Sequence, residues 1–229
     1  DALRALIPYE ELQHAVVRVL ALVPGERLLV AGCGTGNLEW LAARQVPGLS
    51  VDAVDFSPAM LQRARAKCAA APGIRHQQAD LCAGLPLPDA VADAAVLCNV
   101  LYALPDQSAA LREIARVLRP GGRLVVCDRQ PWSGMRPIIR AHVAALGQLP
   151  RRQRAGRWLR ALLALPRLAL VAAANVGIQR RYRAGAYTYL PVDQAKALLA
   201  GAGFVVTAEA SAYAEQCWLF RALRPPAPE

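Results

Sequence analysis

The chain has 229 residues, 55% of them hydrophobic and 19% charged. It is therefore long enough to bury a core without disulfide staples, and too apolar for a disordered polymer or a collagen-like repeat. Its 27 Lys and Arg against 17 Asp and Glu give a net charge of +10, which directs attention to nucleic acid, an anionic membrane surface or an acidic ligand. Only Lys67 and Lys196 are lysines; so strong a preference for Arg, with abundant Ala and Leu, is the mark of GC-rich codons, and part of the basic excess carries no function.

In chain order, an N-terminal helix carrying Tyr9 and His14 comes first. A short buried strand, Arg27–Ala31, then runs into Gly32-Cys33-Gly34-Thr35-Gly36 and a helix from Asn37 to about Gln45. Leu49–Asp55 is the next strand. Ser57-Pro58 supplies an N-cap and a first-turn proline for a helix to about Ala70. Ile74–Ala79 is a third strand and Ala94–Cys98 a fourth, apolar throughout as a strand covered on both faces should be. A helix over Asp106–Leu118 ends at Pro120-Gly121-Gly122, and Arg123–Asp128 is the fifth strand. Strands separated by helical crossovers predict an α/β fold, a doubly wound parallel sheet with helices on both faces. The rhythm breaks at Arg129 and resumes with a helix from about Val192 to Ala200, a strand from Phe204 and a last strand near Gln216–Arg221. The organisation expected is a core with its N-terminal helix over 1–128, an insertion over 129–191, core-completing elements over 192–223, and a frayed Pro-rich tail over 224–229.

The six cysteines, Cys33, Cys68, Cys82, Cys98, Cys127 and Cys217, form no C-x-x-C pair and are expected as reduced thiols. No leader-like pattern opens the chain, so a cytoplasmic location is the default.

The glycine loop lets a ligand approach the backbone closely at a helix N-terminus, where a polar or anionic group is favoured. Its spacing, G-x-G-x-G, is not the dinucleotide fingerprint, and no Gly-Lys-Ser/Thr follows to make a P-loop. Asp55 ends the second strand, 19 residues after Gly36, where a carboxylate accepts both hydroxyls of a ribose. Asp80 ends the third strand in Gln78-Ala79-Asp80-Leu81, and Leu118-Arg119-Pro120-Gly121-Gly122-Arg123-Leu124 precedes the fifth.

With these four motifs in order, the chain resembles the class I S-adenosylmethionine-dependent methyltransferases over about 27–128 and the final helix and strands. The resemblance implies a Rossmann-like seven-stranded sheet with an antiparallel last strand, and S-adenosyl-L-methionine as cofactor. It implies that Gly32, Cys33, Gly34 and Gly36 line the methionine and ribose, Asp55 binds the ribose hydroxyls with Phe56 against the adenine, and Asp80 meets the adenine amino group with Leu81 beside it. Asn99 would lie near the reacting methyl, and Tyr9 would close over the cofactor. One departure is Val30, where the family often has an acidic residue two positions before the first loop glycine.

Methyl transfer needs a base only if the acceptor must lose a proton. His142, in the insertion, and Tyr102 are the candidate catalytic side chains; His76, on a strand, reads as structural. Asn99-Val100-Leu101-Tyr102 lacks both prolines of the Asn/Asp-Pro-Pro-Tyr/Phe arrangement used on flipped bases, so nucleic acid is not the expected partner. No cluster of metal-ligand character is visible, and Asp128 is the sole acid near the site for a magnesium ion.

The insertion carries the charge. Residues 129–191 hold twelve Arg and no acid, leaving −2 for the rest of the chain. Ala161–Ala174 between the Arg clusters is apolar except for Arg167 and interrupted by Pro166, too short for a membrane span. Two readings stand: a helical lid with a solvated Arg face, or a lid lying on an anionic membrane with Trp158 near its edge. Both place an apolar pocket beneath it, lined by Trp132, Met135, Ile138, Ile139, Tyr187 and Tyr189. The function expected is methyl transfer to a hydrophobic small molecule, a quinone or isoprenoid lipid or a secondary metabolite. The alternatives are nucleic-acid methylation and a cofactor-binding protein of this fold that does not methylate.

Overall fold

The computed structural model describes residues 2–226; the side chains at 2, 4, 151–152, 155, 160–162, 164–165, 167–172 and 174–175 lie outside that description. Helix α1 (Ile7–Leu20) leads into β1 (Arg27–Ala31), α2 (Asn37–Gln45), β2 (Ser50–Asp55), α3 (Pro58–Lys67), β3 (Ile74–Gln78) and β4 (Ala92–Cys98). Then come α4 (Gln107–Val117), β5 (Leu118–Arg129), α5 (Met135–Gln148), α6 (Arg151–Arg183), α7 (Val192–Gly201), β6 (Val205–Ala212) and β7 (Cys217–Leu223). The seven strands form one sheet in the order β3-β2-β1-β4-β5-β7-β6. Strand β7 runs antiparallel to both β5 and β6, and the other pairings are parallel.

The apolar strand runs follow from burial on both faces. Leu28 and Val30 point into a cluster with Leu12, Val16 and Leu20 of α1, Leu38 and Ala42 of α2, and Leu61 and Ala64 of α3. Leu29 and Ala31 point the opposite way, toward Leu111 and Ile114 of α4 and Leu199 of α7. The alternation is the period-2 geometry of a strand, and the absence of a polar face is what a helix layer on each side requires. Helix α4 presents Ala110, Leu111, Ile114 and Val117 as one buried stripe. The N-caps work as expected: Ser57 Oγ accepts from Met60 N at 3.4 Å, and Asp106 Oδ1 from Ala109 N at 2.8 Å.

Three boundaries differ from the sequence reading. Strand β5 begins at Leu118, because Ala92 pairs with Leu118 before the register shifts and resumes at Ala94–Arg123. Arg224 is no part of a frayed tail. Its backbone exchanges hydrogen bonds with Gly121 and Gly122 at 2.8 Å each, and its guanidinium donates to the Arg116 and Leu118 carbonyls; residues 227–229 of the predicted tail lie outside the described residues. Pro166 does not interrupt the helix it sits in: α6 runs 33 residues through it, about 50 Å at 1.5 Å per residue. Proline forfeits one helical hydrogen bond, and the Ala- and Leu-rich flanks supply enough helix propensity to carry on. No helix among the described residues is long and apolar enough to cross a membrane.

Candidate active site

The sheet reverses its strand order between β1 and β4, so their C-terminal ends diverge and open a crevice, the place where doubly wound sheets bind ligands. Strand β1 releases the chain into the glycine loop there, and β4 releases it at Asn99. The crevice is a cavity of about 1030 Å³, at the upper end of small-molecule sites and large enough for two ligands.

At one end, Asp55 is anchored by the loop it faces. Its Oδ2 accepts from Gly34 N at 2.8 Å and its Oδ1 from Ser57 N at 2.9 Å. Each oxygen keeps a lone pair for a further donor, which suits a vicinal diol. This carboxylate also orders the glycine loop, the task that an acid at the Val30 position would share. Phe56, 71% exposed, stands beside it at the cavity wall, as do Asp80 and Leu81. A side chain that apolar and that exposed at a cavity edge fits a planar ring as its cover.

The three loop glycines have different tasks. Gly34 has φ +56 and open space where a Cβ would be, so a ligand can approach its backbone. Gly32 has φ +73, and a Cβ there would fall 2.4 Å from Val100 Cγ2, so it lets the β4 exit loop close on the β1 exit loop. Gly36 does not line the cavity. A Cβ on it would meet Ala64 Cα at 2.9 Å, and its smallness lets α2 start against α3. The expectation of a cofactor contact at Gly36 is corrected to one of helix packing.

Asn99 lines the cavity in the left-handed conformation (φ 58), which asparagine tolerates better than most residues, with its N–H donated to Cys127 O at 2.8 Å. Cys33 is also a lining residue, and burial pushes its thiol up above the usual range. Helix α1 closes the near side. Tyr9 lines the cavity, its hydroxyl accepts from Asn37 Nδ2 at 3.0 Å, and Asn37 Oδ1 in turn accepts from Lys67 Nζ, which ties α1, α2 and α3 together across the loop.

The other end is built from the segment after β5. Met135, Ile138 and Tyr187 line it, with Ile178 and Arg181 of α6 and Arg129 at the end of β5. Tyr102 forms part of this wall. Its ring packs against Tyr187 (centroids 5.3 Å apart) and Tyr189 (5.0 Å). Burial and the nearby Asp128 carboxyl raise the Tyr102 hydroxyl well above its ordinary pKa, so it stays protonated at neutral pH. Asp128 itself lies behind the wall, with Oδ2 accepting from Tyr102 N at 2.8 Å and Oδ1 from Arg129 N at 2.7 Å. Burial pushes its carboxyl up to about 7.

Four expected site residues fall elsewhere. His142 is buried between α5 and α1, where its Nδ1 accepts the N–H of Ile7 at 3.1 Å; burial and then Arg157 lower its pKa. It is outside the cavity and joins two helices. Ile139 is 52% exposed because α5 turns its Met135–Ile138–His142 side inward, and Trp132, 62% exposed, lies in the turn before that helix. Tyr189 is buried behind the cavity wall against Tyr102 and Tyr182. His76 is interior, as read, but it is not without an acid. Its Nε2 lies 3.2 Å from Glu39 Oε1, with the Cys68 thiol close by, on the far side of the glycine loop.

Sequence reasoning missed Gln13, Thr35, Asn37, Ile178, Arg181 and Tyr213 as lining residues. Thr35 and Asn37 had a signal, since they flank the loop glycines. Tyr213 had none: it sits in the β6–β7 hairpin, where Tyr213, Ala214 and Glu215 all take positive φ without a glycine. Gln216 fixes that turn, its amide donating to Ala214 O and accepting from Gly134 N at 2.7 Å.

Comparison with known proteins agrees with this geometry. Residues 29–126 match a family described as "Methyltransferase domain". Demethylmenaquinone methyltransferase of Tropheryma whipplei is 35% identical over 132 residues, 57% of this chain and 54% of that protein. The enzyme of the same name from Thermus thermophilus is 40% identical over 121 residues, 52% of this chain and 54% of that protein. The chain thus spans about half the length of the curated relatives it matches. A crystal structure of a SAM-dependent methyltransferase from Aquifex aeolicus superposes with a TM-score of 0.64 at 16% identity, covering 97% of this chain and 92% of that one, which bears on the fold alone. Over residues 29–126 the chain thus matches a methyltransferase domain, and the seven-stranded sheet with its antiparallel last strand and the glycine loop facing Asp55 are similar to the class I S-adenosylmethionine-dependent methyltransferase fold.

Proposed function

We propose that the protein transfers a methyl group from S-adenosylmethionine to a hydrophobic small molecule. The observation that carries this reading is one continuous cavity with carboxylates at one end and an apolar, aromatic wall at the other. Gly32, Gly34, Asp55, Phe56, Asp80 and Leu81 would hold the adenosine portion, with Asn99, Cys33 and Tyr9 around the methionine portion. The bound cofactor supplies an activated methyl on a sulfonium, so the protein's share is alignment of the acceptor and exclusion of water.

Met135, Ile138, Ile178 and Tyr187 enclose the acceptor, and Tyr102 orients it by donating a hydrogen bond. With His142 out of the cavity and Tyr102 held protonated, neither expected base serves. That favours an acceptor whose attacking atom is already nucleophilic or ionises near neutral pH. The named activity of the relatives, on demethylmenaquinone, supports a quinone-like or isoprenoid acceptor; a secondary metabolite of similar polarity fits the same wall.

Exposed apolar side chains in the segment after β5 support action at a membrane surface. Trp132 in the turn before α5, Ile139 and Val143 on α5, and Trp158, Leu159 and Leu163 on α6 are all exposed, within a segment of +12 charge. Apolar side chains flanked by arginines suit an anionic interface.

Two measurements test the proposal. Isothermal titration with S-adenosylhomocysteine should give a micromolar or tighter complex, and transfer of labelled methyl to a demethylated quinol should be catalytic; failure of both sinks the reading. Co-sedimentation should show salt-sensitive binding to phosphatidylglycerol vesicles and little binding to phosphatidylcholine vesicles. Equal binding to both, or none, removes the membrane part alone.

A further inference from the structure

A second cavity of about 630 Å³ adjoins the first, sharing Arg129 and Met135 with it. Its remaining lining residues are Ser133, Gly134, Val176, Gln179, Arg180 and Arg183. The polar groups presented by its side chains are dominated by donors: three guanidinium groups, a hydroxyl and an amide. No carboxylate lines it among the described residues.

Helix geometry explains the arrangement. At 100° per residue, Val176, Gln179, Arg180 and Arg183 fall within an arc of about 100°, and Ile178 and Arg181 fall on the opposite side. The C-terminal end of α6 thus separates the two cavities, presenting Ile178 and Arg181 to the larger and the arginine face to the smaller. They join beneath it at Arg129, whose Nε donates to Ser133 Oγ at 3.1 Å. Neither Arg180 nor Arg183 has an ion pair among the described residues, whereas Arg157, farther along the same helix, is paired with Glu10. Two unpaired cations, held with a third around one hollow, favour a bound anion through charge-assisted hydrogen bonds, and guanidinium matches carboxylate and phosphate oxygens in a bidentate manner. The apolar wall from Met135 to Ile138 leads from this hollow to the end of the crevice where Asn99 and Tyr102 stand.

We propose that the second cavity is an anion subsite for the methyl acceptor, so that the acceptor is amphiphilic: an apolar body in the crevice and a carboxylate or phosphate held by Arg129, Arg180 and Arg183. This rests on the methyltransferase reading and narrows its acceptor class.

The test uses the full chain saturated with S-adenosylhomocysteine and titrated with octyl phosphate and with octanol, each as monomer. A chain that fails to bind S-adenosylhomocysteine fails the methyltransferase reading, and that is seen before either probe is added. Octyl phosphate is expected to bind at least tenfold more tightly than octanol. The Arg180→Gln/Arg183→Gln double substitution, checked by circular dichroism, should bring the two within threefold without changing S-adenosylhomocysteine affinity. Equal binding of the two probes to the unaltered protein overturns the proposal, with no variant needed. So does octyl phosphate binding that survives the double substitution. If that substitution leaves octyl phosphate untouched and abolishes binding to phosphatidylglycerol vesicles, the arginines serve a lipid headgroup and the proposal is likewise overturned.

Discussion

The two ends of the crevice are built on different principles. At the adenosine end, the groups that matter lie on loops joined directly to strand ends: Gly34 is three residues beyond β1, Asp55 is the last residue of β2, and Asp80 is two residues past β3. The backbone itself is part of the site, through the Gly34 and Ser57 N–H groups that hold Asp55. At the acceptor end the groups come from α5, α6, the segment after it, the end of β5 and Tyr102 of the loop after β4. A site fixed by strand ends takes its geometry from the sheet. A site fixed by the packing of helices can be re-lined by substitution while the sheet stays the same.

The charge separates in the same way. Asp55 and Asp80 stand at the first end, and Arg129 and Arg181 at the second. Across the sequence, 129–191 carries +12 and the remainder −2. This polarity suits an anionic or electron-rich group at the second end more than at the first.

The comparison breaks most sharply at Asp55. Asp55→Ala removes the anchor of the glycine loop and, on the proposed function, the acceptor of two ribose hydroxyls. At ~1.5–3 kcal/mol for each hydrogen bond to a charged group, affinity for S-adenosylhomocysteine should fall by ~100-fold or more in a calorimetric titration. An unchanged affinity would show that the strand-end site is not the cofactor site.

Next in size is the contrast between two glycines of one loop. Gly36→Ala drives a Cβ into the α3 backbone at a left-handed φ, and should cost ~2–4 kcal/mol of stability in urea denaturation. Gly34→Ala meets open space. It should cost ~1 kcal/mol of stability for its φ and show its main effect as weaker cofactor binding. Equal losses of stability would remove the distinction drawn between packing and ligand approach.

At the acceptor end, Ile138→Ala and Ile139→Ala separate inner from outer faces of one helix. Ile138 is buried at the cavity and Ile139 half exposed. The first should raise the acceptor KM several-fold and cost ~2–4 kcal/mol of stability; the second should leave both within ~0.5 kcal/mol and weaken vesicle binding alone. A matching rise in KM from both would mean that α5 is rotated in the working enzyme.

The smallest effect concerns His142. Its pKa is held below the ordinary value of 6.5 by burial and Arg157. The unfolded chain therefore binds the proton more readily, and this residue's contribution is present above pH 6.5 and lost as pH falls through the lowered folded value. His142→Gln, which keeps an acceptor for Ile7 N–H and does not titrate, should flatten that part of the acid limb in thermal melts between pH 7.5 and 5. Turnover at pH 8 should stay unchanged, and a large loss there would return His142 to the catalytic machinery.

The sequence by itself determined the sheet and the strand-end groups of the crevice. The bounds of β1 and α2 were legible to the residue because an apolar run, a glycine cluster and a helix pattern adjoin without overlap. The strand-end carboxylates were legible because position at a strand's C-terminus is a matter of counting. The charge of 129–191 was legible as well, since it is composition. The tertiary structure alone decided which side of a helix faces the acceptor. His142 and Ile139 share α5 with Met135 and Ile138, and nothing in their identities says that the helix turns the first into a helix–helix seam and the second to solvent, with Trp132 exposed in the turn before it.

Tertiary structure likewise decided that Gly36 serves α3, that Pro166 is carried inside a long helix, and that a glycine-free hairpin brings Tyr213 to the cavity. Local sequence sets backbone geometry through steric limits on φ and ψ and through capping. Facing and neighbourhood depend on contacts between residues more than a hundred positions apart, as between Ile7 and His142 or Asn99 and Cys217, and those form only when the whole chain packs.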